Sequence, residues 1–392
     1  MNADLPIFEL EYAKRGCECC GGIDNEQLWN FVHFARTQSG YYAFRMSNAI
    51  CLQCGFVYVP NSPTDATLET YYNDTYPAGA FSKPTYHAAT RIRVIESYAG
   101  KGARLVDIGS SREEEFHVKL KEVGIEVLRM DIKGHAMTDT DSIEAIEKGS
   151  ADVVTHYFVL EHVPHIREFL ANCRAILKDE GIMVIEVPNI RSYEDAWLGI
   201  LPHEHVNHWS PGCLARVVSE CGFQVLESGQ GICSRNPIGF AMVCRKVSMA
   251  TPAIPDPNEF VDNRRCFISG ANHVRAYESR LGEMFTRAQA NLAEGGSVLL
   301  WCANDQMHRF FQIGGKLEGD FLCVDSDGRK RNFFGPETVK TPAEASDFIH
   351  RSTRIVVFSD INAEAILTSI KSQFGKHFEA DQIERPHIHQ LC

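Results

Sequence analysis

The sequence predicts an α/β protein with a doubly wound core, a small cysteine-rich N-terminal domain and a second, smaller C-terminal α/β domain. The first observation is a strand–helix–strand pattern at residues 151–189. The second is a pair of Cys-x-x-Cys-Gly motifs near the N-terminus, and the third is a renewed alternation of strands and helices after residue 266. We therefore expect domains at residues 1–75, 76–248 and 266–392, with a linker at 249–265.

The central pattern is a β-α-β crossover. The apolar run at 153–159 is typical of a strand that is buried on both faces of a parallel sheet. Apolar residues at helical spacing between 166 and 177 predict a helix, which we expect Gly181 to end. The next strand is predicted at 182–187. Because ligands bind at the carboxyl ends of such strands, we expect a site beside His162.

The composition favours a small ligand or another protein as the partner. The 392-residue chain has a formal net charge of −12 and no basic run, which argues against nucleic acid or an anionic membrane surface. The N-terminal residues lack the features of a signal peptide, and no apolar run approaches the about 20 residues of a membrane helix. We expect a cytoplasmic protein whose 14 cysteines are thiols or metal ligands.

The two cysteine motifs predict a structural zinc site. Cys17 and Cys20 form the first pair, and Cys51 and Cys54 form the second. A glycine behind each pair lets backbone N–H groups turn toward the sulfurs, and four thiolates close a tetrahedral site with no open position. Cys19 is an alternative ligand, although the spacing favours the outer cysteines of the first motif.

A second crossover precedes the central one. We predict a strand at 105–108, a turn at Gly109, a helix at 116–123 and a strand at 125–130. Asp131 follows at the place where doubly wound folds carry the acid that accepts ribose hydroxyls.

A tyrosine-rich segment lies between the cysteine motifs and these crossovers. We predict a helix from Leu68 that leads into a loop with Tyr71, Tyr72 and Tyr76. These residues are either core or surface aromatics, or their loop brings a hydroxyl over a neighbouring active site.

His203, Glu204, His205 and His208 lie within six residues just beyond a predicted strand end. Three interpretations remain open, namely a metal site, a structural histidine cluster and a general acid/base pair in which Glu204 orients His205. His162 is either a further member of the site or a structural residue.

The remaining elements complete the predicted architecture. A hairpin is expected at the edge of the core sheet, and the C-terminal domain is expected to begin with a long helix. The predicted ranges are strands 223–227 and 239–245, helix 271–292, strands 297–303, 321–325 and 353–359, and helix 363–374.

The order of these features resembles the bacterial nucleotide-sugar C-methyltransferases, whose Rossmann-like core is a class I S-adenosylmethionine-dependent methyltransferase. The resemblance rests on the paired CxxCG motifs, the tyrosine loop, the block VVTHYFVLEHVPH...ILKDEGIMVIEVPN and the sequence HEH at 203–205. It covers nearly the whole chain. In the C-terminal domain it is carried by the order of elements and by Gly335-Pro336 and Thr341-Pro342.

The resemblance implies structural zinc, S-adenosylmethionine as cofactor and a nucleotide-linked 6-deoxy-4-keto sugar as substrate. It implies that His205 removes a proton from the carbon next to the ketone and that Glu204 supports it. His162 and Tyr76 are implied to bind the keto sugar or its enolate oxygen. The expected cofactor-binding residues are Asp107, Gly109, Ser111, Asp131 and His156.

Two departures from the family leave other functions open. Pro202 stands where the family has a tyrosine, and Glu113 stands where the cofactor loop has its second glycine. Methyl transfer to carbon is the leading hypothesis. The alternatives are an enzyme without the methyl donor that epimerises, isomerises or forms carbon–carbon bonds on a nucleotide sugar, and a non-catalytic partner of a related enzyme.

Overall fold

The computed structural model divides the chain into two compact units. The larger comprises Leu10–His33 and Phe44–Ala271, and the smaller comprises Met1–Glu9, Phe34–Ala43 and Asn272–Cys392. The residues that the structure describes are 6–37, 39–75, 87–110, 113–131, 138–195, 203–234, 236, 238–254, 256–327, 330, 339–349, 352–359, 363–374 and 382–385.

The helices and strands alternate along most of the chain. The N-terminal elements are β1 (Ile7–Glu9), β2 (Tyr12–Lys14), β3 (Asn25–Arg36), β4 (Tyr41–Cys51), β5 (Val57–Tyr58), β6 (Asn61–Pro63) and α1 (Asp65–Thr75). The central elements are α2 (Ala88–Tyr98), β7 (Arg104–Ile108), α3 (Glu115–Glu122), β8 (Glu126–Met130), β9 (Ala151–Tyr157), α4 (Ile166–Ile176), β10 (Leu177–Pro188), β11 (Asn207–His208), α5 (Pro211–Glu220), β12 (Phe223–Gly229) and β13 (Gly239–Lys246). The C-terminal elements are α6 (Glu259–Ala293), β14 (Ser297–Trp301), α7 (Asp305–Gly314), β15 (Phe321–Val324), β16 (Thr353–Val357), α8 (Ala363–Phe374) and β17 (Ile383–Glu384).

The larger unit is built on a six-stranded sheet with the order β12-β13-β10-β9-β7-β8. Strands β10, β9, β7 and β8 are neighbours in this order and run parallel to one another. Their carboxyl ends therefore lie at one edge of the sheet, where ligands bind in doubly wound folds. The strand β13 runs antiparallel to β10, and β12 pairs with β13 at the sheet edge. The doubly wound core and its edge hairpin are therefore confirmed.

The helix α4 ends earlier than predicted. Leu177 already adopts an extended conformation after Ile176 and pairs with Ala151 of β9. The register then shifts before Ile182, and Gly181 lies within β10. The prediction that Gly181 ends the helix is wrong, because sheet pairing competes with the helix before the glycine is reached.

The cysteine segment shares one hydrophobic core with this sheet. Cys17, Cys51 and Phe56 belong to the same buried cluster as Trp209 and Cys213, which lie beside and within α5. These side chains pack together within the larger unit. The predicted domain boundary at residue 75 stays a prediction. The long strands β3 and β4, which pair with each other, had no counterpart in the sequence-based expectations.

The helix α6 begins at Glu259, inside the predicted linker and well before the predicted start at residue 271. Asp256 initiates the turn because its carboxylate and carbonyl accept the N–H groups of Asn258 and Glu259. The first helical turns are anchored by Asn263, whose amide donates to the carbonyl oxygen of Gly55 at 2.9 Å. These contacts give the proline-rich segment a folded end.

The smaller unit contains a four-stranded parallel sheet with the order β15-β14-β16-β17. The predicted second α/β unit is thus confirmed, with β17 as an additional strand. Its core includes Leu299 and Trp301 of β14 and Ile370 of α8. Among the helices in the described ranges, none combines the length and the apolar character needed to cross a membrane.

Candidate functional site

Four cysteine sulfurs converge in the N-terminal segment. The sulfurs of Cys17 and Cys54 are 3.5 Å apart, as are those of Cys20 and Cys51, and all four lie within 4.8 Å of one another. A tetrahedral site with metal–sulfur bonds of about 2.3 Å places its sulfurs about 3.8 Å apart. The donor set therefore fits a closed four-thiolate zinc site.

The turns beside these cysteines explain the two glycines of the motifs. Gly21 and Gly55 have φ angles of 77° and 72°, which glycine adopts at low cost. A Cβ atom on Gly55 would also lie 2.6 Å from the backbone nitrogen of Phe260. Cys19 is not among the converging sulfurs, and its thiol contacts the carbonyl oxygen of Cys213 at 3.6 Å.

The loop after β7 makes a tight turn at Gly109. Gly109 has a φ of 78°, and a Cβ atom there would lie 2.3 Å from Cγ2 of Val159. The N–H groups of Gly109 and Ser110 both donate to the carbonyl oxygen of Met130, which ties the turn to the end of β8. The turn therefore requires its one remaining glycine.

The acidic residues after this turn are held by neighbouring groups. The Glu113 carboxylate lies 2.5 Å from Nζ of Lys121, whose hydrogen bond lowers the pKa of Glu113. Glu114 caps α3 in a reciprocal pairing with His117, which accepts the Glu114 N–H at Nδ1. Nε2 of His117 then donates to Asp107 at 2.8 Å. The charge of Glu113 is thus paired at the protein surface.

The other predicted cofactor residues have different surroundings. Asp107 is buried, and its second oxygen accepts a hydrogen bond from Thr155 at 2.5 Å. The contacts with His117 and Thr155 hold its side chain in place at the end of β7. Asp131 stands directly after β8. His156 is fully buried and packs edge-to-face on Phe169 at 5.2 Å, and desolvation lowers its pKa to about 3. The predictions for Ser111 and Tyr76 fall outside the described residues.

Arg15 holds together the two loops that carry the predicted catalytic histidines. Its guanidinium donates to the carbonyl oxygens of Val59, Pro164 and Val206 and to the side-chain oxygen of Asn207, at 2.5–2.9 Å. Burial lowers the pKa of Arg15 to about 10, which leaves it charged at neutral pH. These contacts join residues 44 to 192 positions apart, and the sequence carried no signal for them.

His162 and His205 meet at the carboxyl edge of the sheet, as the sequence predicted for neighbouring strand ends. Their rings are in edge-to-face contact with centroids 4.8 Å apart. Oε1 of the buried Glu161 lies 3.8 Å from Nε2 of His162 and 4.0 Å from Nε2 of His205. Glu161 was not predicted as a site residue. It directly precedes His162 in the sequence, but the direction of a loop side chain cannot be inferred from the sequence alone.

The other residues of the histidine-rich loop face different partners. Nε2 of His203 lies 2.8 Å from the Tyr71 hydroxyl and 3.9 Å from the Glu204 carboxylate. His208 is buried between the Tyr193 hydroxyl and the Asn48 amide oxygen, at 3.0 and 2.9 Å, so it fits the structural interpretation of the cluster. The support of His205 by Glu204 stays a prediction.

A second polar cluster lies under the cofactor loop. The buried Arg91 guanidinium stacks over the Tyr157 ring at 3.8 Å and lies 3.2 Å from Glu114 and 3.9 Å from Glu186. Glu186 also accepts a hydrogen bond from Ser234, and burial raises its pKa. This cluster was not predictable from the sequence, because an arginine on an amphipathic helix is normally a surface residue.

Comparison with known proteins shows what the central part of the chain is similar to. A family model described as a methyltransferase domain matches residues 84–228. A ubiquinone biosynthesis O-methyltransferase of Burkholderia pseudomallei (strain 1710b) is 29% identical over 167 residues, which are 35% of this chain and 72% of that protein. Residues 84–228 of this chain are therefore similar to a methyltransferase domain.

Two further comparisons concern this methyltransferase domain. A ubiquinone biosynthesis O-methyltransferase of Bradyrhizobium sp. (strain ORS 278) is 30% identical over 125 residues, covering 28% of this chain and 49% of that protein. The solved structure of Burkholderia thailandensis 1,6-didemethyltoxoflavin-N1-methyltransferase aligns with a TM-score of 0.35 and 17% identity, covering 50% of this chain and 98% of that one. The matched range contains Gly109, His162 and His205, whereas the four converging cysteines precede it.

Proposed function

We propose that the chain transfers a methyl group from S-adenosylmethionine to a carbon next to the ketone of a nucleotide-linked keto-deoxysugar. The observation that carries the proposal is the convergence of His162, His205 and the buried Glu161 at the carboxyl edge of the methyltransferase sheet. Methylation of such a carbon requires a base that removes a proton of low acidity. An imidazole beside a carboxylate has that capacity at neutral pH.

Four side chains of the protein have separate roles in the proposed reaction. Nε2 of His205 takes the proton from the carbon, and the Glu161 carboxylate stabilises the imidazolium that results. Nε2 of His162, on the half-buried side of the cluster, donates a hydrogen bond to the enolate oxygen. Arg15 positions both histidines, because it binds backbone carbonyl groups of both loops.

The cofactor loop fits S-adenosylmethionine. Because Gly109 has no Cβ atom, the loop turns tightly against Val159, and the Asp131 carboxylate follows the strand end where ribose hydroxyls are bound. Glu113 does not oppose this, since its charge is paired with Lys121. When bound, S-adenosylmethionine supplies an electrophilic methyl group.

A decisive experiment uses the full chain with S-adenosylmethionine that carries a 13C methyl group and a panel of nucleotide-linked 4-keto-6-deoxy sugars. The product's 13C shift distinguishes a methyl group on carbon from one on oxygen. We expect methyl transfer to carbon, and His205→Gln should lower turnover by about 100-fold or more. The matched control is His165→Gln, a change of the exposed histidine on the same loop as His162. Absence of methyl transfer to every sugar would refute the proposal.

The relatives support a second candidate, because they are named as O-methyltransferases. Proton removal from a sugar hydroxyl would use His205 in the same way. The two candidates differ in deuterium oxide. Carbon methylation predicts exchange of the proton next to the ketone by the enzyme, whereas oxygen methylation predicts none.

A further inference from the structure

Glu161, His162 and His205 have the geometry of a metal-binding site that is separate from the four cysteines. Both Nε2 atoms, those of His162 and His205, face the same carboxylate oxygen of Glu161, at 3.8 and 4.0 Å. The donor atoms all lie within 4.8 Å of one another. A point equidistant from the three lies at most about 2.5 Å from each, against about 2.0–2.1 Å for a zinc–nitrogen bond. Side-chain shifts of about 0.4 Å would bring all three donor atoms to bonding distance from a cation.

Burial and charge favour a cation at this point. Glu161 is 1% exposed and His205 is 8% exposed, and a buried carboxylate is costly unless its charge is compensated. Both imidazoles also present nitrogen to the centre, which suits a transition metal better than magnesium or calcium. The His162 side chain is 26% exposed, so that side gives an ion access from solvent.

We propose that Glu161, His162 and His205 bind a divalent first-row transition cation such as Zn²⁺, Co²⁺ or Ni²⁺. Two histidines and one carboxylate leave coordination positions open, in contrast to the closed four-cysteine site. The cation and a proton compete for Nε2 of His205. Metal binding at this site and proton removal by His205 therefore exclude one another.

The two sites are distinguishable because their donor atoms differ. Cobalt bound to four thiolates gives intense sulfur-to-metal charge-transfer bands, whereas cobalt bound by imidazole and carboxylate gives weak visible bands alone. The experiment therefore titrates Co²⁺ into the full chain as purified, with zinc retained at the cysteines and confirmed by elemental analysis. We expect one further equivalent of cobalt with the weak bands.

The variants Glu161→Gln and His162→Gln are expected to weaken cobalt binding by at least about 100-fold, because loss of a group that only hydrogen-bonds to a metal ligand already costs about 10- to 100-fold. His165→Gln is the matched control, since His165 lies on the same loop as His162 but is exposed and lies 3.5 Å from Asp65, and it should bind cobalt like the parent protein. His162→Gln keeps the test valid if Glu161→Gln does not fold.

The proposal is overturned if the parent protein takes up no second equivalent of cobalt, or if a folded His162→Gln variant binds it as tightly. The spectrum needs neither substrate nor methyl transfer, so failure of the proposed reaction leaves this result intact. A separate check adds Zn²⁺ to the solvent-exchange assay of the keto sugar. Exchange should stop at the zinc concentration that displaces cobalt.

Discussion

The Glu113 carboxylate lies 2.5 Å from the ammonium group of Lys121, which stands in the last turn of α3. In the sequence this glutamate stands in place of a glycine and adds negative charge where a cofactor carboxylate is expected. In the structure, this negative charge forms an ion pair with Lys121. We therefore expect S-adenosylmethionine binding to depend on a residue outside the loop itself.

Lys121→Met is expected to weaken S-adenosylmethionine binding by up to about fivefold, because exposed ion pairs contribute about 0.2–1 kcal/mol and the released Glu113 would repel the cofactor's carboxylate. Isothermal titration calorimetry measures the change. Lys119→Met is the control, since Lys119 pairs with Glu122 at 3.0 Å on the same helix. Equal affinity of both variants would show that Glu113 does not act on the cofactor.

Gly109→Ala should destabilise the larger unit and abolish cofactor binding. A left-handed φ costs a residue with a Cβ atom about 1–2 kcal/mol, and the new methyl group would overlap Val159. Chemical unfolding and calorimetry measure the two effects. The double variant Gly109→Ala with Val159→Ala relieves the overlap but not the backbone strain, so it should recover part of the loss. No recovery would place the whole effect in the backbone.

Arg15→Lys should lower turnover while leaving a positive charge in place. Lysine cannot supply the branched set of donors that Arg15 directs at Val59, Pro164 and Val206, and each buried carbonyl left without a partner costs about 1–3 kcal/mol. The two histidine loops then lose their common anchor. We expect a fall in kcat with a smaller change in KM, measured in the methyl-transfer assay. A variant with normal kcat would show that other contacts position the loops.

Cys51→Ser should remove zinc and destabilise the larger unit as a whole. The cysteine segment shares its core with α5, and a ligand present at 1,000 times its dissociation constant stabilises by about 4 kcal/mol. Elemental analysis and thermal unfolding measure the two effects. Cys221→Ser is the control, because Cys221 borders the same core but is not one of the four converging sulfurs. If zinc-free protein unfolds like the parent, the site is not structural.

Acid should weaken the larger unit through its buried histidines. Burial lowers the pKa of His156 to about 3 and that of His208 well below its usual value. The unfolded state, with a pKa near 6.5, binds protons that the folded state excludes, so stability is lost as the pH falls below about 6.5. For His156 the loss between pH 7.5 and 5.5 is about 1.4 kcal/mol.

Urea unfolding of His156→Gln at these two pH values tests this expectation. The variant should lose about 1.4 kcal/mol less than the parent between pH 7.5 and 5.5. His165→Gln controls for replacing a histidine at an exposed position. If the variant and the parent protein show the same pH dependence, the His156 ring of the parent takes up its proton as readily in the folded state as in the unfolded state.

The sequence predicted the elements whose pattern is set by burial. The strands β7 and β9 and the helix α4 have apolar residues on both faces or on one stripe, and their periodicity is visible without a structure. The helix end at Gly181 was wrong because local propensity cannot show that Leu177 pairs with Ala151. The strands β3 and β4 were missed because their aromatic and polar residues do not alternate regularly.

The candidate site was predictable to the extent that its residues follow strands. His162 and His205 could be placed at one edge of the sheet from topology alone. Glu161 required the backbone path of the loop, since a shift of one residue turns a side chain away from the edge. Arg15 required the full tertiary structure, because its four partners come from three distant segments.

The shared core of the cysteine segment and α5 determines when the larger unit can mature during synthesis. Cys17 and Cys51 leave the ribosome long before Trp209 and Cys213, against which their segment packs. Bound metal can hold the early loops closed, but their apolar faces stay uncovered until about 160 further residues are made. We therefore expect the growing chain to benefit from early metal binding and from protection against aggregation during this interval.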